Sequence, residues 1–194
     1  MIINLKKTKM AFHLHAKNFL NNLDRAKAVL DFDQLNRFIK LISSAKEQGS
    51  KVLFFGNGGS AAVASHLSVD LMRSLNIRGL NFNEADLITC FSNDFGYGEW
   101  VAKTIKLHAD HGDVVVLVSS SGESLNIINA AKIANDMGLD LVTFSGFDKN
   151  NRLRKLGSIN FWVDSTNYNV VEMTHHIWLL AMVEALLETE MKVS

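Results

Sequence analysis

Lys51–Ser60 (KVLFFGNGGS) and Val114–Ser124 (VVVLVSSSGES) decide how this chain reads. In each, a short apolar run with the character of an interior parallel strand feeds through a glycine- and serine-rich turn into a segment of helical periodicity. A strand that turns directly into a helix leaves the first helical N–H groups unpaired and facing outward, where they favour an anion. The same construction twice in one chain points to a phosphate.

Outward from these two stretches, strands alternate with helices. Phe12, Ala16, Phe19, Leu20 and Leu23, then Leu35, Phe38, Ile39 and Ile42, recur at three- and four-residue intervals and predict helices over 11–30 and 33–46. Ser60 is expected to cap a helix through Leu75, with Asn76–Gly79 as a turn and a short strand at Leu80–Asn83. Further helices are expected over 97–109, 124–137 and 169–191, and strands over 139–144 and 160–163. The stretch 85–91 fits strand or helix by pattern alone. Alternation of this kind gives an α/β fold, a parallel sheet between helix layers. The chain reads as a single domain, with 1–48 an N-terminal helical extension and 49–194 the sheet and its flanking helices.

Composition narrows the function classes. The 194 residues carry 47% hydrophobic and 21% charged residues with a formal net charge of zero, which gives no electrostatic bias toward nucleic acid or membrane. The single Cys90, expected to be a small buried hydrophobe, excludes an intrachain disulfide. No secretory leader and no apolar run of membrane-spanning length is read, so the expected location is cytoplasmic. Lys149–Lys155 (KNNRLRK) reads as a solvated loop or helix end, His108 and His111 as exposed, and Trp178 and Met182 as packing residues.

Gly56-Asn57-Gly58-Gly59-Ser60, Asn93-Asp94-Phe95-Gly96 and Ser119-Ser120-Ser121-Gly122-Glu123-Ser124, in this order, resemble the sugar isomerase (SIS) domain, specifically the bacterial phosphoheptose isomerase group. The resemblance covers nearly the whole chain. It implies a three-layer αβα sandwich with a five-stranded parallel sheet, flavodoxin-like with N-terminal helices, assembled as a homotetramer with sites shared between subunits. It also places 85–91 on a helix. The implied reaction interconverts sedoheptulose 7-phosphate and an aldoheptose 7-phosphate by proton transfer through an enediolate. The alternative is a noncatalytic SIS protein that binds a sugar phosphate or acts as a scaffold for a replication initiator.

Ser119, Ser120, Ser121 and Ser124, with the backbone N–H groups of their turn and the dipole of the helix that follows, are the expected phosphate cradle. Asn57, Gly58 and Ser60 are expected to reach sugar or phosphate from the first turn. Asp94 is expected to accept from sugar hydroxyls, as the resemblance implies.

The family pattern also implies a metal, commonly zinc. It is held by a histidine with a glutamate four residues later, and by a terminal-helix glutamine with a histidine eight residues later. Here His66 matches the first histidine, Asp70 stands at the glutamate position and Glu172 at the glutamine position, while His175 matches a second family histidine. The catalytic histidine position is Leu180. Residues four apart share a helix face, so His66 with Asp70 and Glu172 with His176 can converge if the two helices face each other. That set suits zinc or another divalent ion, with Asp70 or Glu172 as base and His176 as the substitute imidazole. The competing reading makes His175 and His176 ordinary helix histidines, one half-buried and one wet.

Overall fold

Strands β1 (Lys51–Gly56) and β3 (Val114–Ser119) lie side by side in a parallel sheet, in register from Val52–Val114 to Gly56–Val118. The computed structural model describes residues 2–191, with side chains from 12 to 189. Both strands are buried on both faces, and their alternation sorts the core in two. Val52, Phe54, Val114, Val116 and Val118 face one apolar cluster, and Leu53, Phe55, Val115 and Leu117 face the other.

Strands β2 (Arg78–Asn81), β4 (Asp140–Ser145) and β5 (Ile159–Trp162) complete the order β2-β1-β3-β4-β5, all parallel. Helices α2 (Phe32–Glu47), α3 (Gly59–Leu75) and α7 (Tyr168–Met191) cover the first face, and α1 (Ile2–Lys27) packs on α7. On the second face lie α5 (Trp100–His108), α6 (Leu125–Asp136) and a 3-10 turn at Leu153–Lys155, with α4 (Ala85–Phe95) lying over them through half-buried Leu87, Ile88 and Phe91. This is the expected three-layer sandwich. Helix α2 shows why the sequence forms it: Leu35, Phe38, Ile42 and Ala45 are buried along one stripe, and the Asp31 carboxylate caps the N–H groups of Asp33 and Gln34 at 3.0 Å.

Several local expectations are corrected. Asn76 turns the chain alone, in left-handed backbone (φ 52°), so β2 begins at Arg78 and not at Leu80. Gly58 occupies the cap position of α3, which starts at Gly59, and Ser60 is buried within the first turn instead of capping it. Cys90 is exposed because α4 turns Leu87, Ile88 and Phe91 inward. Tyr168–Thr189 is long and apolar enough to cross a membrane by length and composition, contrary to the sequence reading, yet half of its most apolar window is buried. That apolarity serves packing, since Val171, Trp178, Leu179, Met182 and Val183 belong to the first core cluster.

Candidate active site

The order of the strands reverses direction between β1 and β3, and in open parallel sheets the crevice beyond the carboxyl ends of two such strands receives ligands. Both glycine- and serine-rich turns lie there. A small pocket is walled by Ser119, Ser120, Ser121 and Ser124 of the second turn, Asn57 and Ser60 of the first, and Tyr168 and Glu172 of α7. Among the described residues no lysine or arginine lines it, so its donors are hydroxyls, the Asn57 amide and main-chain N–H groups. The hydroxyls are lightly engaged: Ser119 donates to Ser124 Oγ and Ser120 to Glu172 Oε1, each at a long 3.4 Å, and Ser121 Oγ accepts from the Glu123 N–H at 3.2 Å. Ser124 precedes α6 without a side-chain cap bond, leaving its oxygen available.

The segment after β4 braces the serine turn. Gly122 has φ 66°, and a Cβ there would overlap the Asn151 side chain, so only glycine fits both the backbone and the close approach. The Asn151 amide, itself 1% exposed, donates to Asp148 O (2.8 Å), Ser145 Oγ (3.1 Å) and Gly146 O (3.3 Å), and its oxygen accepts from the Arg154 N–H (2.9 Å). Arg152 grips Glu123 from its main-chain N–H (2.8 Å) and from Nε (2.5 Å), which holds the Glu123 carboxyl below the usual carboxylate range. Leu153 N–H bonds Gly122 O at 3.0 Å, and Gly146 N–H bonds Ser120 O at 2.9 Å. Four anchors therefore fix the six-residue turn.

In the first turn, Asn57 and Asn126 exchange amide hydrogen bonds of 3.0 and 2.9 Å, and the Tyr97 hydroxyl donates to Asn57 Oδ1 at 2.9 Å. Gly58 is exposed with φ 53°. The Glu172 carboxylate rests against Gly59, where any Cβ would overlap it. Its negative charge thus sits at the start of α3, where unpaired N–H groups attract it.

One helical turn along α7, His176 Nε2 meets His66 Nδ1 of α3 at 2.7 Å, with the two rings edge to face. His66 Nε2 is 3.3 Å from Asp70 Oδ2. If Nε2 of a neutral His66 donates to Asp70, its Nδ1 has only a lone pair, and His176 donates to it. Desolvation lowers the His176 pKa, with His66 adding to the fall and Asp70 opposing it. Asp70 is mostly buried and His66 about half exposed.

His175, one residue before, is fully buried against Phe144 and Trp178, and its Nε2 meets Ser145 O at 3.0 Å. Burial lowers its pKa to about 4, so the ring is neutral and Nε2 carries the proton given to Ser145. The expectation of one half-buried and one wet histidine is corrected: His175 is a core residue, and half-buried His176 touches α3.

The structure brings Asn57, Ser60, all four serines and Glu172 into one pocket, and His66, Asp70 and His176 into an adjoining cluster. Asp94 lies apart on exposed α4, bonded to Asn93 Nδ2 at 2.9 Å, and does not line the pocket. Among the described residues no group of three or more histidine, cysteine, aspartate or glutamate side chains is already arranged to hold a metal. Two imidazoles and a carboxylate suit a first-row divalent ion by donor type, but Glu172 is turned toward Gly59 and Ser120. Sequence reasoning missed Tyr168, Asn126, Tyr97 and Asn151. Of these, Tyr168 left a signal, since it shares the i, i+4 stripe of Glu172 and His176.

A family profile described as the SIS domain matches residues 16–146. A probable phosphoheptose isomerase from Thermoplasma acidophilum is 31% identical over 182 residues, covering 90% of this chain and 98% of the relative. Among solved structures, the phosphoheptose isomerase of Neisseria gonorrhoeae superposes with a TM-score of 0.83 at 22% identity, over 92% of this chain and 99% of that one. The Vibrio vulnificus NanR protein complexed with ManNAc-6P superposes at 0.73 with 19% identity, over 96% of this chain and 66% of that one. Switch-point turns, strand order and extended identity agree: the chain belongs to the SIS-domain family, in its phosphoheptose isomerase group.

Proposed function

We propose that this protein is an aldose–ketose isomerase that interconverts sedoheptulose 7-phosphate and an aldoheptose 7-phosphate through an enediolate. The observation that carries the reading is the succession along one stripe of α7: Glu172 inside the hydroxyl-lined pocket, and His176 on His66 one turn beyond. The relative named as a probable phosphoheptose isomerase, aligned over nearly its full length, supports the choice of reaction over a purely binding role.

The phosphate occupies the serine turn, held by hydroxyls and by N–H groups at the start of α6. From there the carbon chain runs past Glu172 toward His176. Among the described residues Glu172 is the one carboxylate that lines the pocket, so it takes the proton alpha to the carbonyl and returns it to the neighbouring carbon. Asp70, engaged with His66, serves to orient that ring. His176 stands one turn before Leu180, the family position of the catalytic imidazole; on turning its Nε2–H from His66 to the substrate it would stabilise the charge that develops on the carbonyl oxygen. A zinc or other first-row divalent ion, held by His66, Asp70 and His176, would supply Lewis-acid polarisation of the same oxygen.

A phosphorylated substrate, which does not cross membranes unaided, is consistent with a cytoplasmic protein. Exposed apolar side chains on α1 (Phe12, Leu14, Leu20), α3 (Val69, Met72) and α7 (Ile177) support a homotetramer. The test is turnover of sedoheptulose 7-phosphate. We expect conversion by zinc-loaded protein, loss on chelation and recovery on adding zinc back; sugar phosphate bound without turnover under every divalent ion would leave only the binding role.

A further inference from the structure

We infer that the Tyr168 hydroxyl is a fifth hydroxyl of the phosphate cradle, delivered from α7 and not from the serine turn. The inference rests on the proposed binding of a phosphorylated ligand in the serine pocket. Tyr168 is the first residue of α7, 58% exposed, and lines that pocket together with the serines. Its hydroxyl has no hydrogen-bond partner among the described residues, although Tyr97, the other tyrosine near the site, spends its hydroxyl on Asn57. A pocket without lysine or arginine must neutralise an anion with neutral donors, and each hydroxyl added to a charged acceptor counts.

The ring is also held in place at a cost to the backbone. Phe147 adopts left-handed backbone (φ 56°), uncommon for a bulky aromatic residue, and its ring packs edge-on against Tyr168 at 4.8 Å. The Phe147 N–H bonds Ser165 O at 2.9 Å, which ties this bend after β4 to the segment that leads into α7. Phe147 is a positioning residue in this arrangement, and Tyr168 the one that touches the ligand. A phosphate bound by both the serine turn and Tyr168 would tie the N-terminal end of α7, which carries Glu172 and His176, to the sheet.

The experiment is calorimetric titration of inorganic phosphate and of arabinose 5-phosphate into the whole chain and its Tyr168→Phe variant, which removes one oxygen and keeps the ring. Tyr168→Phe should weaken both ligands about tenfold, Phe147→Ala should weaken them severalfold, and KM for sedoheptulose 7-phosphate should rise with kcat within about twofold. Equal affinities for wild type and Tyr168→Phe would overturn the assignment of Tyr168 while leaving the serine pocket standing. A wild-type protein that binds neither ligand would overturn the phosphate pocket itself, and Tyr168 with it.

Discussion

His175 shows how much one step round a helix decides. Its neighbour meets α3, whereas His175 is sealed among aromatic rings with its Nδ1 unpartnered. Burial lowers its pKa to about 4, against 6.5 for an exposed ring. Between these values the unfolded chain binds a proton that the folded chain refuses, so stability is full above about pH 6.5 and declines as pH falls toward 4. The loss attributable to this group is about 3 kcal/mol. Thermal unfolding from pH 7 to 4 should show that decline, with a shallower slope in His175→Gln; identical slopes would assign the acid sensitivity elsewhere. The sequence placed His66 with Asp70, and Glu172 with His176, each pair on one face of its helix, because helical spacing is enough for that; that His66 and His176 meet is seen only in the structure. Nor did the sequence reveal which member of the His175–His176 pair points inward, since α7 is apolar on several sides and its phase is set by packing against α1, α3 and the sheet.

At the scale of elements, the binding turn depends on a segment with no binding residue of its own. Asn151 satisfies three acceptors and one donor while filling the space that Gly122 leaves open. Asn151→Ala strands those groups and should cost about 1–3 kcal/mol of stability. It should also weaken phosphate binding severalfold, read by calorimetry on the folded variant. Unaltered affinity in a destabilised variant would show that the serine turn holds its own shape. The turn itself was legible because it repeats the strand–turn–helix construction of the first turn and matches the family motif, although serines between a strand and a helix are commonly only turn and cap residues. The brace was not: Asn151 lies 27 residues beyond Ser124, and a loop asparagine carries no mark of a long-range partner. The same limit explains β2, where a single left-handed Asn76 replaced an expected four-residue turn.

For the whole molecule, the apolar runs at Lys51–Phe55 and Val114–Val118 were enough to predict a buried parallel sheet, whereas the order β2-β1-β3-β4-β5 was not legible, because alternation with helices makes strands parallel without saying which are neighbours. The basis for assembly reads differently in three dimensions. Val183 of α7 is buried within the chain and Leu180, Ala181 and Leu187 are half-buried, so much of the apolar surface of α7 is used internally. The apolar side chains that remain exposed are spread over several helices, among them Phe12, Leu14 and Leu20 on α1, Val69 and Met72 on α3, and Met173 and Ile177 on α7. Light scattering should give a tetramer, and Phe12→Asp with Leu20→Asp should lower its mass; a wild-type monomer at micromolar concentration would refute the assembly.

The central claim, that Glu172 moves a proton on a phosphate-anchored sugar while His176 stabilises the charge on the oxygen, is most directly tested by proton NMR of sedoheptulose 7-phosphate in D2O with zinc-loaded protein. The account predicts formation of an aldoheptose 7-phosphate bearing deuterium at C2, abolished by Glu172→Gln and slowed at least a hundredfold by His176→Ala. Conversion that persists undiminished in Glu172→Gln, or a bound sugar whose carbon-bound protons never exchange, would contradict it.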